Sequence, residues 1–484
     1  MKKLNLALDN LSEAFPDDFT PAQKAKAQTL FLKRFSVDAH RFYGGKMQTV
    51  PKCGVFGWQW FGAWYSPGVS GISTAIRDNN DLSFELTSRG NTVAVVSDST
   101  RVLGDGDCTP PGGMGVMEGK AFLMKYLGGV DCVPLCIDSR GPDGKNDPER
   151  IIQFVKMVQH SFGAINLEDI SQPNCFKVLD DLREACDIPV WHDDAQGTAC
   201  VTLAGTLNAL KLVNKKLSDV RIVMLGAGAS MTTIARLLIT DGADPSKLVL
   251  FDSKGSLHKG RADIQKDARY YRKWELCEST NPQRYANEEE ALKGADVLLA
   301  ASTPGPDTVK PEWVRGMGKK SIVFACANPV PEIYPYAAKE AGAYIVGTGR
   351  SDFPNQVNNS TCFPGLLKAA LLVHARKVTD GMAIRCAHSL ADYAEKKGID
   401  PDHIMPTMED VGVFSEEAAD VAEQAVKEGV ARINLTRAQV LERARHDIDE
   451  SRACVKTLLD AGLIKTPPEK LVQEAFEWAC GQVK

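Results

Sequence analysis

Two pairs of acidic residues each follow a short apolar run, and this placement suits metal binding. The pairs are Glu168 with Asp169, and Asp193 with Asp194. Mg²⁺ and Mn²⁺ prefer oxygen ligands and keep coordination positions open for substrate oxygens. We predict that Glu168, Asp169 and Asp194 supply three carboxylates to one hard cation, while Asp193 faces a neighbouring positive group.

Each acidic pair also has a simpler interpretation. Asp is favoured at helix N-termini, so Asp193 and Asp194 could cap the helix that is predicted to follow them. Glu168 and Asp169 could be ordinary acids of a solvated loop. Two such pairs, each at the end of an apolar run, favour the metal site over the two separate explanations.

A lysine and a tyrosine lie beside turn-forming sequences. Lys120 follows the glycine-rich residues 111–119 and is predicted to open a helix. Burial there would lower the pKa of its ammonium group toward neutrality, so that Lys120 could act as a base. Tyr65 stands just before a Ser-Pro-Gly turn. The alternatives are a surface lysine and a structural tyrosine, which are the common roles of these residue types.

The elements that must position these residues have an α/β pattern. Short β-rich apolar runs alternate with helical patterns, which predicts largely parallel sheets. In the first half the predicted strands are residues 92–96 and 133–137, and the predicted helices are 148–162 and 198–213.

The clearest unit starts near Val220. A strand over residues 221–225 leads into Gly226 and Gly228, then into a helix, and a second strand ends in Asp252. Strand, glycine turn, helix and acid-terminated strand is the order of a dinucleotide-binding crossover. The second strand and the further predicted strands are residues 247–251, 296–300, 321–325 and 343–346.

Residues 365–484 are predicted to be mostly helical. Thr436 is placed to cap a helix that Gly462 ends. A second apolar stripe follows the Thr-Pro-Pro joint at residues 466–468.

Composition excludes several classes of protein. The chain has 484 residues, 57 Lys and Arg against 62 Asp and Glu, and 44% hydrophobic residues, so no nucleic-acid surface or polybasic membrane patch is expected. Its apolar runs are too short to span a bilayer. The N-terminus has an acid by position nine and does not resemble a secretory signal. The 13 cysteines form no CxxC pair and are expected to be reduced. We therefore expect a soluble cytoplasmic protein.

Taken together and in order, these motifs resemble those of malic enzymes of the compact type. The resemblance covers roughly residues 55–430. Each motif by itself is weak evidence for the family, but nine motifs in the same order are specific to it. The matching segments are residues 65–69, 101–107, 118–120, 167–169, 192–198, 226–228, 327–329, 358–359 and 363–365.

The resemblance implies oxidative decarboxylation of L-malate to pyruvate and CO₂, with NADP or NAD as the cofactor and Mg²⁺ or Mn²⁺ as the metal. It also implies a homodimer. The expected fold is an N-terminal α/β catalytic domain, a Rossmann-type NAD(P)-binding domain with a parallel sheet, and a helical C-terminal segment. The expected bounds are residues 1–195, 196–365 and 366–484.

Position by position, the resemblance assigns Lys120 as the general base, Tyr65 as the general acid and Asp193 as the carboxylate that tunes the lysine. Glu168, Asp169 and Asp194 match the metal ligands. The groups expected to hold the malate carboxylates are Arg101, Asn328 and Asn359. The cofactor is expected to contact Gly226, Ala227, Gly228, Ala229, Ser230, Asp252, Ser253, Lys254, Ser302 and Asn328.

The residues around Asp252 include features typical of both NAD-binding and NADP-binding sites. Asp252 lies 24 residues beyond Gly228, where an acid ordinarily binds the ribose hydroxyl of NAD. Lys254, Lys259 and Arg261 could instead accommodate the 2′-phosphate of NADP, unless they form only a solvated loop face. The sequence of this loop resembles that of NADP-using malic enzymes, and we predict a preference for NADP.

The chain departs from the pattern at one position of the glycine turn. Met231 stands where a third glycine or an alanine is expected, which affects the packing of the cofactor helix more than binding itself. The tail beyond about residue 435 has no counterpart in the compact members and could cover a partner subunit or the chain's own core.

Two other classes of function compete with this one. A regulatory dinucleotide-binding protein would not need Tyr65, Lys120 and three metal carboxylates together. A dehydrogenase of another hydroxy or amino acid would not need the three carboxylates.

Overall fold

The computed structural model describes residues 3–102 and 104–483. These residues form two compact units. One unit comprises the described residues of Met1–Val50 and Ser451–Lys484, and the other is Pro51–Glu450.

Five α-helices precede the first strand within the described residues. The longest, α2, begins with a capping box in which the Thr20 side chain accepts from the Gln23 N–H and the Gln23 side chain returns to the Thr20 backbone. It ends at Gly44, whose φ of 71° is a conformation that favours glycine. The five helices are α1 (Leu11–Ala14), α2 (Pro21–Tyr43), α3 (Trp60–Trp64), α4 (Val69–Asp78) and α5 (Ser83–Leu86).

The first sheet has four parallel strands in the order β2-β1-β3-β4. Val93 and Val95 of its buried central strand face one hydrophobic cluster, while Ala94 and Val96 face another, because successive side chains of a strand point to opposite faces. The elements here are β1 (Thr92–Ser97), α6 (Thr109–Gly128), β2 (Asp131–Cys136), α7 (Pro148–Val158), β3 (Ala164–Leu167), α8 (Asn174–Ala185) and β4 (Val190–His192).

The second sheet has six strands in the order β10-β9-β8-β5-β6-β7, and only the short β7 is antiparallel to its neighbour. The connections reverse direction at β5, and ligands of such sheets bind at the carboxyl ends of the strands beside this point. The strands are β5 (Ile222–Leu225), β6 (Leu248–Asp252), β7 (Gly255–Ser256), β8 (Val297–Ala300), β9 (Ile322–Ala325) and β10 (Ile345–Thr348).

The remaining α-helices of the described residues follow β4 in the chain. They are α9 (Thr198–Val213), α10 (Ala229–Thr240), α11 (Ala262–Gln265), α12 (Tyr271–Ser279), α13 (Glu288–Leu292), α14 (Pro311–Arg315), α15 (Pro335–Glu340), α16 (Phe363–Leu372), α17 (Asp380–Lys397), α18 (Gly412–Lys427), α19 (Arg437–Asp460) and α20 (Glu469–Gly481). Among the described residues, none of the helices combines the length and the apolar composition needed to cross a bilayer.

The predicted α/β class is confirmed, and so are most of the predicted elements. Thr436 caps α19, since the Gln439 N–H donates to its hydroxyl at 3.3 Å and the Gln439 side chain accepts from the Thr436 N–H at 2.9 Å. The strand predicted over residues 133–137 lies at Asp131–Cys136 instead. The domain bounds at residues 195 and 365 stay predictions.

One predicted local structure is wrong. The glycine-rich residues 111–119 were expected to form a loop with Lys120 at the start of a helix, but α6 begins at Thr109 and Lys120 lies in its middle. Gly113 shows why glycines are needed within this helix. A Cβ at Gly113 would lie 1.9 Å from the Ser99 Oγ, so only glycine lets α6 pack this closely.

The tail packs on the N-terminal residues of its own chain in the first unit. The Phe476 ring of α20 lies 5.2 Å from that of Phe15 and 5.7 Å from that of Phe31. The Tyr43 hydroxyl donates to the Lys465 carbonyl at 2.8 Å. Of the two roles considered for the tail, these contacts support covering a core of the chain itself.

Candidate active site

A buried ion pair lies at the centre of the site. The Lys120 ammonium donates to the Asp193 carboxylate and lies 3.0 Å from Oε1 of Glu168. Only 12% of the Lys120 side chain is exposed, and its Nζ stands 4.6 Å from the centre of the Phe363 ring. Burial by itself would lower the pKa of Lys120, but the charges of Asp193 and Glu168 outweigh it and raise the pKa above its ordinary value.

The raised pKa corrects the expectation that burial alone leaves Lys120 neutral. Burial was inferred correctly, but the nearby acids decide the sign of the shift. Lys120 is therefore a charged partner of Asp193 in this arrangement, and it must lose its proton before it can act as a base.

The three predicted metal ligands come together beside Lys120. Oxygens of Glu168, Asp169 and Asp194 all lie within 4.8 Å of one another. The Asp169 N–H donates to Oδ2 of Asp194 at 2.7 Å. Glu168 follows β3 and Asp194 follows β4, and these parallel neighbours end at the same edge of the sheet.

This carboxylate cluster fits a hard divalent cation. Burial raises the pKa of Glu168, the attraction of Lys120 lowers it, and the charges of Asp194 and Asp193 raise it further. The net effect is a pKa of Glu168 well above its ordinary value. The clustered carboxyl oxygens of Glu168, Asp169 and Asp194 are the kind of donor set that Mg²⁺ or Mn²⁺ prefers.

A π-helical turn over Asp193–Gly197 positions the second acidic pair. The Trp191 indole N–H donates to Oδ1 of Asp193 at 3.1 Å, which aims the other oxygen at Lys120. A Cβ at Gly197 would lie 2.1 Å from that Oδ1, so the turn requires glycine. Neither Asp193 nor Asp194 caps a helix, which removes the simpler interpretation of this pair.

The predicted substrate-binding residues are distributed around the cluster. The Arg101 backbone N–H donates to the Asp169 carbonyl at 3.0 Å. A Cβ at Gly197 would lie 3.2 Å from the Asn359 Cβ. Asn328 lies against the loop that follows Arg101, because a Cβ at Gly104 would come within 2.5 Å of the Asn328 carbonyl oxygen.

The glycine turn of the predicted cofactor site lies beside the backbone of Asp194. Gly226 has a φ of 104°, and a Cβ there would lie 2.5 Å from the Ala301 carbonyl oxygen. Gly228 has open space around it, which suits the close approach of a phosphate. The Ser230 hydroxyl at the start of α10 donates to the Asp194 carbonyl at 2.9 Å.

The other residues of this turn have packing roles. Ala227 is almost fully buried, and Ala229 is the first residue of α10. Met231, which stands where a third glycine or an alanine was expected, packs into the largest hydrophobic cluster.

Asp252 is held by cations. Two guanidinium N–H groups of Arg261 donate to its two oxygens at 2.9 Å each, and the Lys273 Nζ lies 3.5 Å away. Burial raises the pKa of Asp252, but the hydrogen bonds from Arg261 outweigh this effect, and the pKa lies below its ordinary value. Lys254 donates its backbone N–H to Asp252 and pairs its side chain with Asp263 at 3.4 Å, while Ser253 is exposed beside it.

Two residues of the site carry no sequence signal that could have identified them. Lys273 lies on α12, far along the chain from the glycine turn. Glu332 is fully buried and accepts from the Ser302 N–H at 2.6 Å and from the Ala327 N–H at 3.0 Å. It therefore ties together the loops that follow β8 and β9, which carry Ser302 and Asn328.

Tyr65 is the one predicted catalytic residue that the structure does not place in contact with Lys120 or Asp193. It directly follows α3, and 74% of it is exposed to solvent. Within the described part of the chain, no hydrogen bond joins its hydroxyl to Lys120 or to the carboxylates. The predicted base and the predicted acid are thus in different environments.

Two family models match the chain. Residues 62–183 match the malic enzyme N-terminal domain, and residues 195–426 match the malic enzyme NAD binding domain.

Characterised relatives and solved structures agree with these matches. A bifunctional malic/malolactic enzyme of Bacillus subtilis is 39% identical over 86% of this chain and 98% of its own length. An NAD-dependent malic enzyme of Geobacillus stearothermophilus is 41% identical over 80% of this chain and 78% of its own. The crystal structure of Entamoeba histolytica malic enzyme has a TM-score of 0.98 and 61% identity, with 100% of both chains covered.

Proposed function

Because the chain belongs to the malic enzyme family and is an NAD(P)-dependent oxidoreductase that oxidises and decarboxylates malate, we propose which of its residues carry out each step. The single observation that carries the proposal is the buried pair of Lys120 with Asp193 beside three clustered carboxylates. A base, a cation site and the cofactor turn meet there, as the reaction requires.

Glu168, Asp169 and Asp194 are the proposed ligands of Mg²⁺ or Mn²⁺. When bound, the cation supplies Lewis-acid polarisation at the C2 oxygen of the substrate, and the nicotinamide supplies the acceptor for two electrons. The Ser230 hydroxyl donates to the backbone carbonyl of Asp194, which places the predicted cofactor turn beside the residue that carries one of the proposed ligands.

Lys120 is the proposed base for the C2 hydroxyl proton of malate. Its raised pKa means that the surrounding negative charge must fall before the ammonium releases its own proton. Glu168 contributes less negative charge to Lys120 when it serves as a metal ligand. Asp193, held by Trp191, then keeps the amine aimed at the substrate.

Arg101, Asn328 and Asn359 are the proposed ligands of the malate carboxylates. A guanidinium binds two carboxylate oxygens at once, and amide N–H groups donate to them. Tyr65 is the proposed acid that protonates C3 of the enolate left after CO₂ departs.

NADP is the proposed preferred cofactor. Arg261 occupies both oxygens of Asp252, which leaves this carboxylate poorly placed to bind the ribose hydroxyls of NAD. Lys254 and Lys273 lie in the same place, so three cations there outnumber the carboxylates of Asp252 and Asp263. Such an excess of positive charge favours a 2′-phosphate. The names of relatives include both NAD- and NADP-dependent enzymes.

A homodimer and a cytoplasmic location are also proposed. All 13 cysteines are free thiols, which fits a reducing compartment. The division into domains at residues 195 and 365 remains part of the proposal.

One assay tests the proposed chemistry. Purified protein is mixed with L-malate, Mn²⁺ and either NADP⁺ or NAD⁺, and both the reduced cofactor and pyruvate are measured. We expect equal amounts of the two products and a higher kcat/KM with NADP⁺. Reduced cofactor without pyruvate would contradict decarboxylation, and a higher kcat/KM with NAD⁺ would contradict the proposed cofactor preference.

The acid role of Tyr65 is tested by separating the two half-reactions. Tyr65→Phe should slow formation of pyruvate from malate more than it slows reduction of added oxaloacetate, because only the first needs protonation at C3. Equal, small effects on both reactions would assign Tyr65 to packing.

A further inference from the structure

Three cysteines and a glutamate meet inside the largest hydrophobic cluster. The sulfur atoms of Cys200, Cys362 and Cys386 lie within 4.8 Å of one another, and those of Cys362 and Cys386 are 3.3 Å apart. All three cysteines are fully buried. The Cys386 thiol donates to Oε1 of Glu417 at 3.0 Å, so the carboxyl group of Glu417 borders the sulfur atoms. We refer to these four residues as the thiol cluster.

Each residue of the thiol cluster comes from a different part of the fold. The residues are Cys200 of α9, Cys362 immediately before α16, Cys386 of α17 and Glu417 of α18. The packing of four helices therefore holds the donor atoms together before any ligand binds. A group that linked them would fasten these helices to one another.

Glu417 is a buried acid without the partners that such a group needs. It is fully buried, and its Oε2 has no hydrogen-bond partner among the described residues. Burial raises the pKa of Glu417 well above its ordinary value, because the charged form is poorly solvated there. Buried carboxylates are usually paired with a cation or coordinate a metal. The carboxyl group of Glu417 thus points to a positive ligand at the thiol cluster.

Sulfur donors with one carboxylate are the set that a soft metal ion prefers. Structural zinc sites have four ligands, with Zn–S distances of about 2.3 Å, so two sulfur ligands of one tetrahedral ion are roughly 3.8 Å apart. The 3.3 Å between Cys362 and Cys386 is near that spacing and well above the roughly 2.05 Å of a disulfide bond. The cluster of Glu168, Asp169 and Asp194 offers only oxygen, so the two clusters suit different ions.

We propose that the thiol cluster is a closed structural site for Zn²⁺, separate from the proposed site of Mg²⁺ or Mn²⁺. Burial raises the pKa of the Cys362 and Cys386 thiols, so they hold their protons until a cation replaces them. Binding of Zn²⁺ releases these protons to solvent and leaves thiolate ligands. Because all four residues are buried, the ion enters while the chain folds.

The zinc site fixes the turn that leads into α16. The Cys362 N–H donates to the Asn359 carbonyl at 2.9 Å, and the ring of the next residue, Phe363, stands 4.6 Å from the Lys120 Nζ. An ion on Cys362 therefore positions a proposed ligand of malate and a neighbour of the proposed base. This consequence rests on the proposed function, whereas the zinc site itself does not.

Elemental analysis of the full-length protein tests the site. The protein is produced in zinc-supplemented medium and washed with excess Mg²⁺, which displaces zinc from oxygen ligands. We expect about one zinc ion per chain in the wild type, as for a structural site, and loss of most of it in Cys362→Ser and Cys386→Ser. Cys277→Ser changes a buried cysteine of α12 outside the thiol cluster and should keep the zinc. A wild type without zinc would overturn the proposal.

Cobalt substitution identifies the ligands in the wild type, so it does not depend on whether a variant folds. Co²⁺ bound by thiolates absorbs in the near ultraviolet through sulfur-to-metal charge transfer, and Co²⁺ bound by carboxylates does not. Wild-type protein produced in cobalt-supplemented, zinc-depleted medium should show this absorption. Bound cobalt without the absorption would place the ion on oxygen ligands only and overturn the thiol site.

Counting the thiols tests the competing possibility of a disulfide bond. The denatured, unreduced protein should contain all 13 free thiols once the metal is removed by a chelator. Two fewer thiols, with Cys362 joined to Cys386 in a peptide map, would overturn the zinc site and assign the pair to redox chemistry.

Kinetics test the positioning of the turn before α16. Folded, zinc-free Cys386→Ser protein should have a several-fold higher KM for malate and an unchanged KM for NADP. An unchanged KM for malate would overturn the positioning of Asn359 and leave the zinc site standing. A wild type that holds zinc on thiolates but does not oxidise malate would contradict the proposed function alone.

Discussion

At Lys120, burial and ion pairing act in opposite directions on one ammonium group. Desolvation favours the neutral amine, while Asp193 and Glu168 favour the charged form and prevail. The balance depends on carboxylates that are also the proposed surroundings of a divalent cation. If a cation binds these carboxylates as proposed, the basicity of Lys120 and the occupancy of the metal site are coupled through Glu168.

Lys120→Ala should reduce kcat for malate oxidation by at least about 100-fold, since a positioned base contributes roughly 10²–10⁴ in rate. Mn²⁺ binding should be retained or tightened, because Glu168 no longer shares its charge with an ammonium group. Removing one partner of a buried pair costs about 3–5 kcal/mol, so the melting temperature should fall. Steady-state kinetics, Mn²⁺ titration calorimetry and thermal unfolding measure the three effects.

Lys125→Ala is the matched control for Lys120→Ala. Lys125 lies on the same helix and pairs with Asp131 in a partly exposed salt bridge at 2.8 Å. This variant should keep most of its turnover. If Lys120→Ala also kept most of its turnover, the base would lie elsewhere.

Asp194→Asn should weaken binding of Mg²⁺ or Mn²⁺, because a neutral amide is a poorer ligand than a carboxylate. Activity should fall at low metal concentration and recover in part at high concentration. The experiment is a titration of initial rate against Mn²⁺, with Asp181→Asn on the exposed face of α8 as the control. An unchanged metal dependence would exclude Asp194 as a ligand.

At the scale of elements, the site is built from the carboxyl ends of parallel strands in two sheets. β3 and β4 deliver the acidic pairs, and the turn after β5 delivers the cofactor loop. Short turns then orient individual side chains. The π-helical turn at Asp193–Gly197 directs Asp193 at Lys120. Arg261, which follows β7, and Lys273 of α12 surround Asp252 with cations.

Lys254→Glu should raise the KM for NADP much more than the KM for NAD. The Lys254 side chain is 70% exposed and lies beside Asp252, so it is placed to meet a 2′-phosphate. A negative charge at this position would repel the 2′-phosphate, which is the group that NADP has and NAD lacks. Initial rates with both cofactors at saturating malate give the ratio.

Lys266→Glu is the control for charge reversal in the same region, since Lys266 is exposed just after α11. It should leave the ratio of the two KM values unchanged. A wild type that prefers NAD, with a ratio that Lys254→Glu does not alter, would show that Asp252 decides the choice.

At the scale of the whole molecule, each of the two units has its own hydrophobic core. The smaller unit joins the two ends of the chain, because α20 packs against α2 around Phe31 and Phe476. Its contacts are aromatic and aliphatic, with polar bonds such as the one from Gln23 to the Val483 carbonyl at 3.1 Å. This unit should therefore be destabilised when a side chain of its own core is truncated.

Phe476→Ala should destabilise the smaller unit by about 3–5 kcal/mol, the usual cost of truncating a buried phenylalanine. Hydrogen exchange should rise in residues of α2 and α20, while α6 keeps its protection. Trp478→Ala is the control, because Trp478 lies on the same helix and is 42% exposed. Uniform protection in the Phe476→Ala variant would show that this core is not what holds the unit together.

The sequence alone determined the features that depend on neighbouring residues. The strand, glycine turn and helix from β5 to α10 follow from local periodicity and from residues that permit one backbone geometry. The Thr436 cap is equally local. The order of the motifs was specific enough to identify the family, because the spacing of many weak signals is itself a strong constraint.

Tertiary structure decided the features that join residues far apart in the chain. Lys120 meets Asp193 across 73 positions, so no local pattern could reveal that its charge is stabilised rather than lost. Lys273 and Glu332 reach the site only through the packing of α12 and of the loops beside β8 and β9. The exposure of Tyr65 is likewise a property of the folded surface. Burial and charge pairing are sums over all nearby groups, and only the folded chain specifies which groups are near.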